Sequence, residues 1–244
     1  MNISGSGRIS AGEYNEKISV SGSGKIDGKV RCKALSCSGS VSGNGELQCI
    51  EEVHVSGSMK LAQNLSAQGI HVSGSLNVGG ECIAEQDIKV SGIMKCHRKL
   101  KCTTLKISGG LNCEEDIEAE HVKISGGIQC TGLLNAENIE IEFGRTGCSV
   151  GSIGGSNITI LSSESKNPLN RLALFSSIIK NIGTFQVGQA IEGDVIAVEQ
   201  VHAPLIVGRV VAVGAGCQID LVQYSEEVEV HPDAIVKKLE KIYN

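Results

Sequence analysis

Cysteine is the residue type in this chain that most invites a chemical reading. Ten are present, and Cys96, Cys113 and Cys130 follow one another at 17 residues, as do Cys32 and Cys49. A ladder of thiolates could bind metal or close disulfides if its members were stacked at strand spacing. No Cys-x-x-Cys pair accompanies them, and zinc sites generally draw on such close pairs. Ile26, Leu61 and Val78 fall in the same series as Cys96, which marks a file of small apolar residues rather than of ligands. His54 and His71 are also 17 apart. A stacked surface pair accounts for them, so no metal site and no cofactor are assigned.

Residues 89–106 carry Lys89, Lys95, Arg98, Lys99, Lys101 and Lys106 with no carboxylate. One period later, Glu115, Asp116 and Glu118 stand where Arg98, Lys99 and Lys101 stood. Opposite charges on adjacent strands then meet side by side, which fixes register. Lys89, Lys106 and Lys123 remain as an unmatched, solvated column. With a net charge of -5, a nucleic-acid partner is not expected.

These series share one period because the chain is a repeat. Val72-Ser73-Gly74, Val90-Ser91-Gly92, Ile107-Ser108-Gly109 and Ile124-Ser125-Gly126 recur at 17 or 18 residues, with earlier copies at Val55, Cys37, Val20 and Ile3. A fixed short period of this kind signals a solenoid. Each repeat holds three pairs of apolar residues with members two apart, as in Leu76/Val78, Cys82/Ala84 and Ile88/Val90. Spacing of two places both side chains on one face of a strand, and the intervening Gly, Ser, Asn and Asp suit corners. The 18-residue repeats keep these columns if one residue is added at the last corner. The expected fold is all-β, a parallel β-helix of about 17 residues per coil, right-handed by the usual hand of parallel crossovers. The Gly of each triplet is expected to adopt a backbone conformation closed to other residues, and the narrow core is expected to exclude aromatics.

The regular β-helix is expected over 1–160, though the first coil is imperfect, with Glu13 and Asn15 in apolar positions and nothing to cover its open end. Beyond Ile141 the triplet is lost, and Arg145 and Gly147 occupy apolar positions. Residues 161–185 read as a loop and apolar insertion, 186–230 as resumed β-helix, and 231–244 as a short C-terminal capping helix. For that helix, Pro232 suits the first helical position, and Ile235, Leu239 and Ile242 give one apolar stripe. The chain shows no signal peptide and no apolar run of bilayer length, which together with reduced cysteines predicts a cytoplasmic protein.

The triplet ladder, together with Ile153-Gly154-Gly155-Ser156-Asn157-Ile158, Ile191-Glu192-Gly193-Asp194-Val195-Ile196 and Val213-Gly214-Ala215-Gly216-Cys217-Gln218-Ile219, resembles the bactofilin-like, polymer-forming cytoskeletal family of bacteria. The resemblance covers nearly the whole chain. It implies a right-handed β-helix, nucleotide-free self-assembly through coil ends, and scaffolding in cell shape, envelope growth or motility. Some members attach to the inner face of the membrane. This chain departs from the family pattern in its length and in lacking Pro-rich tails.

No enzyme is expected. Solenoid acyltransferases need sustained six-residue repeats, which the first 160 residues lack, and solenoid lyases need clustered acids beside long loops. Self-association is expected at Met1, Ile3, Ile9 and Ile18, because an uncapped coil offers unpaired backbone groups and an open core. The partner is then a second copy of the chain, as a homo-oligomer or filament. The alternative is an adaptor whose apolar segment, with Leu172, Leu174, Phe175, Ile178, Ile179 and Phe185, touches the inner membrane surface or envelope proteins.

Overall fold

The computed structural model describes residues 1–144, 147–163 and 183–243. Among these residues the regular elements are all β-strands, and they pair in parallel as a β-solenoid. Two compact units are formed, Met1–Ala119 and Glu120–Asn244.

In the first unit the apolar columns of the sequence become vertical files. Ser58–Leu61 pairs with Ser75–Val78, which pairs in turn with Ile93–Cys96, so Met59, Leu76 and Met94 stack, as do Leu61, Val78 and Cys96. All six are at most 1% exposed. Burial of each such side chain contributes about 1.5–3 kcal/mol, and the same contribution recurs at every coil. The extra residue of both longer repeats falls at the last corner: Ala67 pairs with Ala84, whereas Gly69 pairs with Asp87. In the Cys37 repeat it lies between Cys49 and Val53, where Ile50 points outward at 59% exposure.

The triplet glycines are required for a different reason from the one expected. Positive φ occurs at Gly12, Gly28 and Gly216 but not in the triplets. What forbids a side chain there is the coil beneath: a Cβ on Gly74 would lie 2.0 Å from the Gly57 carbonyl oxygen, and one on Gly92 would lie 2.0 Å from that of Gly74. The backbone comes so close because two successive amides converge on one acceptor. Ser73 and Gly74 both donate to the Val55 carbonyl, at 2.9 and 3.0 Å.

The charge ladder forms as the spacing predicts at Arg98 and Lys101, while Lys99 turns to Glu118 rather than to Asp116. Arg98 reaches Glu115 at 3.8 Å, Lys101 reaches Glu118 at 3.4 Å, and Lys99 also pairs with Glu118. The lysine column is not unmatched, however: Lys89 contacts Asp87 at 2.6 Å and Lys123 contacts Glu140 at 2.8 Å. All ten cysteines are free and buried. A hydrogen bond with Cys113 and burial push the Cys96 thiol up, burial pushes Cys82 well up, and burial pushes Cys102 up to about 12. Such thiols stay protonated and behave as small hydrophobes.

The second unit is less regular. Cys148 and Val150, rather than Arg145 and Gly147, succeed Ile128 and Cys130 in the inward file, since Gln129 pairs with Ser149 and Cys130 with Val150. Three further residues at that corner produce the shift; residues 145–146 lie outside the described residues. Aromatics do enter this core. Phe143 and Phe185 are fully buried with ring centroids 5.5 Å apart, where a strand through Phe143 replaces the Ser-Gly corner. Register then jumps: Ile153 pairs with Ile191 and Ile160 with Val198, a step of 38 residues (191 − 153, 198 − 160). The next steps are 16 (Phe185 to Val201) and 15 (Val198 to Val213), and 16 or 17 thereafter. One coil therefore carries roughly 20 residues more than its neighbours, and the surplus falls between Ser162 and Phe185; residues 164–182 lie outside the described residues.

The expected capping helix is not formed. Ile235–Lys241 is a strand in parallel register with Gln218–Tyr224, Ile219 opposite Val236 and Val222 opposite Leu239. Local helical spacing loses to tertiary demand. The preceding strand has backbone donors and acceptors to satisfy, and a 17-residue step presents a segment that begins with β-favouring Ile235-Val236.

Candidate assembly interface

Two coils have a strand paired on one side alone among the described residues. At the first, Ser6–Tyr14 pairs with Ser23–Cys32. At the other, Ile235–Lys241 pairs with Gln218–Val230. Each leaves a row of backbone groups open to a further strand.

The first coil covers its own apolar residues. Ile9 and Ile18 are 0% exposed and Ile3 is 8% exposed, while Met1 is partly exposed. Gly7 has no side chain, and a Cβ there would lie 2.9 Å from Ile3 Cγ2, so the Ile3 side chain occupies that space. A register shift between Ser10 and Gly12 then moves Tyr14, not Asn15, opposite Cys32. The Tyr14 hydroxyl donates to the Ser10 carbonyl at 2.9 Å in an exposed local bond. The predicted contact residues Ile3, Ile9 and Ile18 are therefore core side chains. This corrects the expectation of an open apolar core at this coil; what remains available is the backbone edge of Ser6–Tyr14.

The coil at 225–243 does the opposite. Buried Val211, Val213, Ile219 and Val222 pair with Val228, Val230, Val236 and Leu239. These four carry the same files one rung further, yet none is buried, and Leu239 is 47% exposed. Ile235 and Tyr243 add exposed apolar surface beside them. The rung carries both signs: Glu227 and Glu229 flank Val228, while on the last strand Lys237 contacts Asp220 at 2.7 Å, Lys241 lies 5.9 Å from the Tyr224 ring centroid, and Lys238 pairs with Glu240. Hydrogen bonds from Lys238 and Gln223 hold the Glu240 carboxyl below its ordinary range. Charge on an edge strand limits indiscriminate pairing.

The apolar segment expected to contact a membrane or partner falls largely outside the described residues, which exclude Leu172, Leu174, Phe175, Ile178 and Ile179. Phe185 is described, and it is no contact residue. It pairs with Cys148 and packs on Phe143 with 0% exposure, because strand alternation turns it into the core. Among the described residues no helix is long and apolar enough to cross a membrane.

Sequence reasoning missed Val228, Val230, Val236 and Leu239 as an exposed set because a helical stripe was read over the last of them. The 17-residue step from Gln218 to Ile235 was the signal that could have found it.

No protein-family model matches the chain, and no curated protein or solved structure is significantly similar to it.

Proposed function

We propose that this protein is a non-enzymatic scaffold, a right-handed β-helix that associates with further copies of itself through the open rungs of its solenoid. The observation that carries this reading is the loss of burial along four apolar files at Val228, Val230, Val236 and Leu239. A second copy seated there continues the files and pairs the free backbone edge at the same time, so one contact satisfies both apolar and polar groups. The Ser6–Tyr14 edge supplies a complementary surface with small side chains and balanced charge, Arg8 against Glu13. Joining the two unlike edges gives a heterologous contact, which forms rings or open filaments. The resemblance to bactofilin-like polymer-forming proteins supports the same reading, and with it a cytoplasmic scaffold in cell shape, envelope growth or motility.

Negative-stain microscopy over rising protein concentration tests this. Particles that lengthen with concentration are expected; monomers of constant size at every concentration would overturn the proposal. A second reading, a membrane-peripheral or partner-binding adaptor, draws on the surplus of roughly 20 residues between Ser162 and Phe185, a length typical of functional insertions. Liposome flotation abolished by Phe175→Ser with Ile179→Ser would favour it.

A further inference from the structure

Outside the open rungs, one group of side chains on the first unit has the composition of a ligand set. His54 and His71 are register partners on adjacent strands, with rings T-shaped at a centroid distance of 4.9 Å. Glu52 lies two residues before His54, on the same outward face, and its Oε2 is 2.7 Å from His54 Nε2. One ligand atom from each of Glu52, His54 and His71 lies within 4.8 Å of the others.

The backbone arrangement explains why these groups converge. Gly69 is register partner to both Glu52 and Asp87, so the carboxylate file is interrupted by a residue without a side chain. A Cβ on Gly69 would sit 3.4 Å from Asp87 Oδ1 and 3.6 Å from Glu52 Cγ, which means that the two acidic side chains lean over the gap. Asp87 in turn touches His71 Nε2 at 3.0 Å and Lys89 Nζ at 2.6 Å. Burial disfavours the Asp87 charge, but hydrogen bonds from Lys89 and His71 outweigh this and hold its carboxyl below the usual range. On the other side, the His54 column continues to Ser36, a small neutral neighbour.

We propose that Glu52, His54 and His71 form a surface site for a divalent transition-metal ion of the zinc class, with Asp87 orienting His71. Two imidazoles and a carboxylate suit Zn²⁺, Co²⁺ or Ni²⁺ rather than Ca²⁺ or Mg²⁺, which prefer all-oxygen shells. Bonds of about 2.0–2.2 Å would hold tetrahedral ligand atoms about 3.2–3.6 Å apart, a contraction within reach of outward-facing side chains that are partly exposed, His71 the least of them. The ion takes the place of the proton between His54 and Glu52, and a carboxylate behind a ligating imidazole is the usual second partner of such a histidine. Three protein ligands leave an outward coordination position open. The site also joins two successive coils through side chains, Glu52 and His54 on one and His71 on the next. It is independent of self-association, since its residues lie in the interior of the first unit's ladder.

Titration of the purified chain with Co²⁺ after chelator treatment tests the assignment. One equivalent should develop visible ligand-field absorption without the near-ultraviolet thiolate charge-transfer band that cysteine ligation would give. His54→Gln, His71→Gln and, as a separate check, Glu52→Gln should each abolish saturable binding while leaving the metal-free melting curve unchanged. Asp87→Asn should weaken it roughly tenfold or more. No absorption at excess Co²⁺, a thiolate band, or titrations unchanged in both histidine variants would overturn the proposal.

Discussion

The coil at residues 1–18 and the coil at residues 225–243 face the same physical problem and solve it differently. Each has a strand with one unpaired edge among the described residues. In the first, the Ile3 side chain fills the space left by Gly7, and Ile9 stays at 0% exposure. In the second, the files simply continue, and Leu239 remains 47% exposed. Stacking alone therefore does not decide how much apolar surface a one-sided rung exposes. That depends on whether local side chains fill the space a neighbouring rung would occupy.

The comparison is broken most severely by charging each end in turn. Ile9→Asp should cost about 3–5 kcal/mol in urea unfolding, because a carboxylate would be buried without a partner. An effect below about 1 kcal/mol would show that Ile9 is surface rather than core. Tyr14→Phe removes the hydroxyl bond to Ser10 and should cost about 1 kcal/mol, with faster amide exchange in Ser6–Tyr14. Leu239→Asp should change the stability of the dissociated chain by less than about 1 kcal/mol, while its effect appears in association.

Acid gives the smallest effect. The Glu240 pKa is depressed in the folded chain, so its contribution is fully present above the unfolded value, about 4.3, and is lost as pH falls through the folded value. Protonation also removes the carboxylate partner of Lys238. Association measured by light scattering should therefore weaken below about pH 4, and Glu240→Gln should show the weaker association already at neutral pH.

Much of this architecture was readable in the sequence. Pairs such as Leu76/Val78 alternate with corners at a fixed step, and only stacked strands reconcile a spacing of two with a period of 17. The opposition of Arg98, Lys99 and Lys101 to Glu115, Asp116 and Glu118 followed from the same step. The glycine column was legible but its cause was not. Close approach to a carbonyl in the neighbouring coil is a property of stacking, whereas conformational freedom is a property of one residue. Phe143 and Phe185 eluded the pattern because the periodic corner had already ended at Ile141. The helix expected at 231–244 was lost to a competition that local propensity does not register, between an apolar stripe and an unpaired strand edge. Ile3 and Ile9 were correctly placed in the first coil, yet the register shift between Ser10 and Gly12, which sets Tyr14 rather than Asn15 opposite Cys32, left no trace in the periodic columns.

Sedimentation velocity of the parent chain and Leu239→Asp, compared over a range of concentrations, tests the scaffold reading most directly. The parent should sediment as concentration-dependent oligomers, and the variant as a folded monomer throughout. A parent that remains monomeric, or a variant whose sedimentation matches that of an associating parent, would contradict assembly through the open rung at Val228, Val230, Val236 and Leu239.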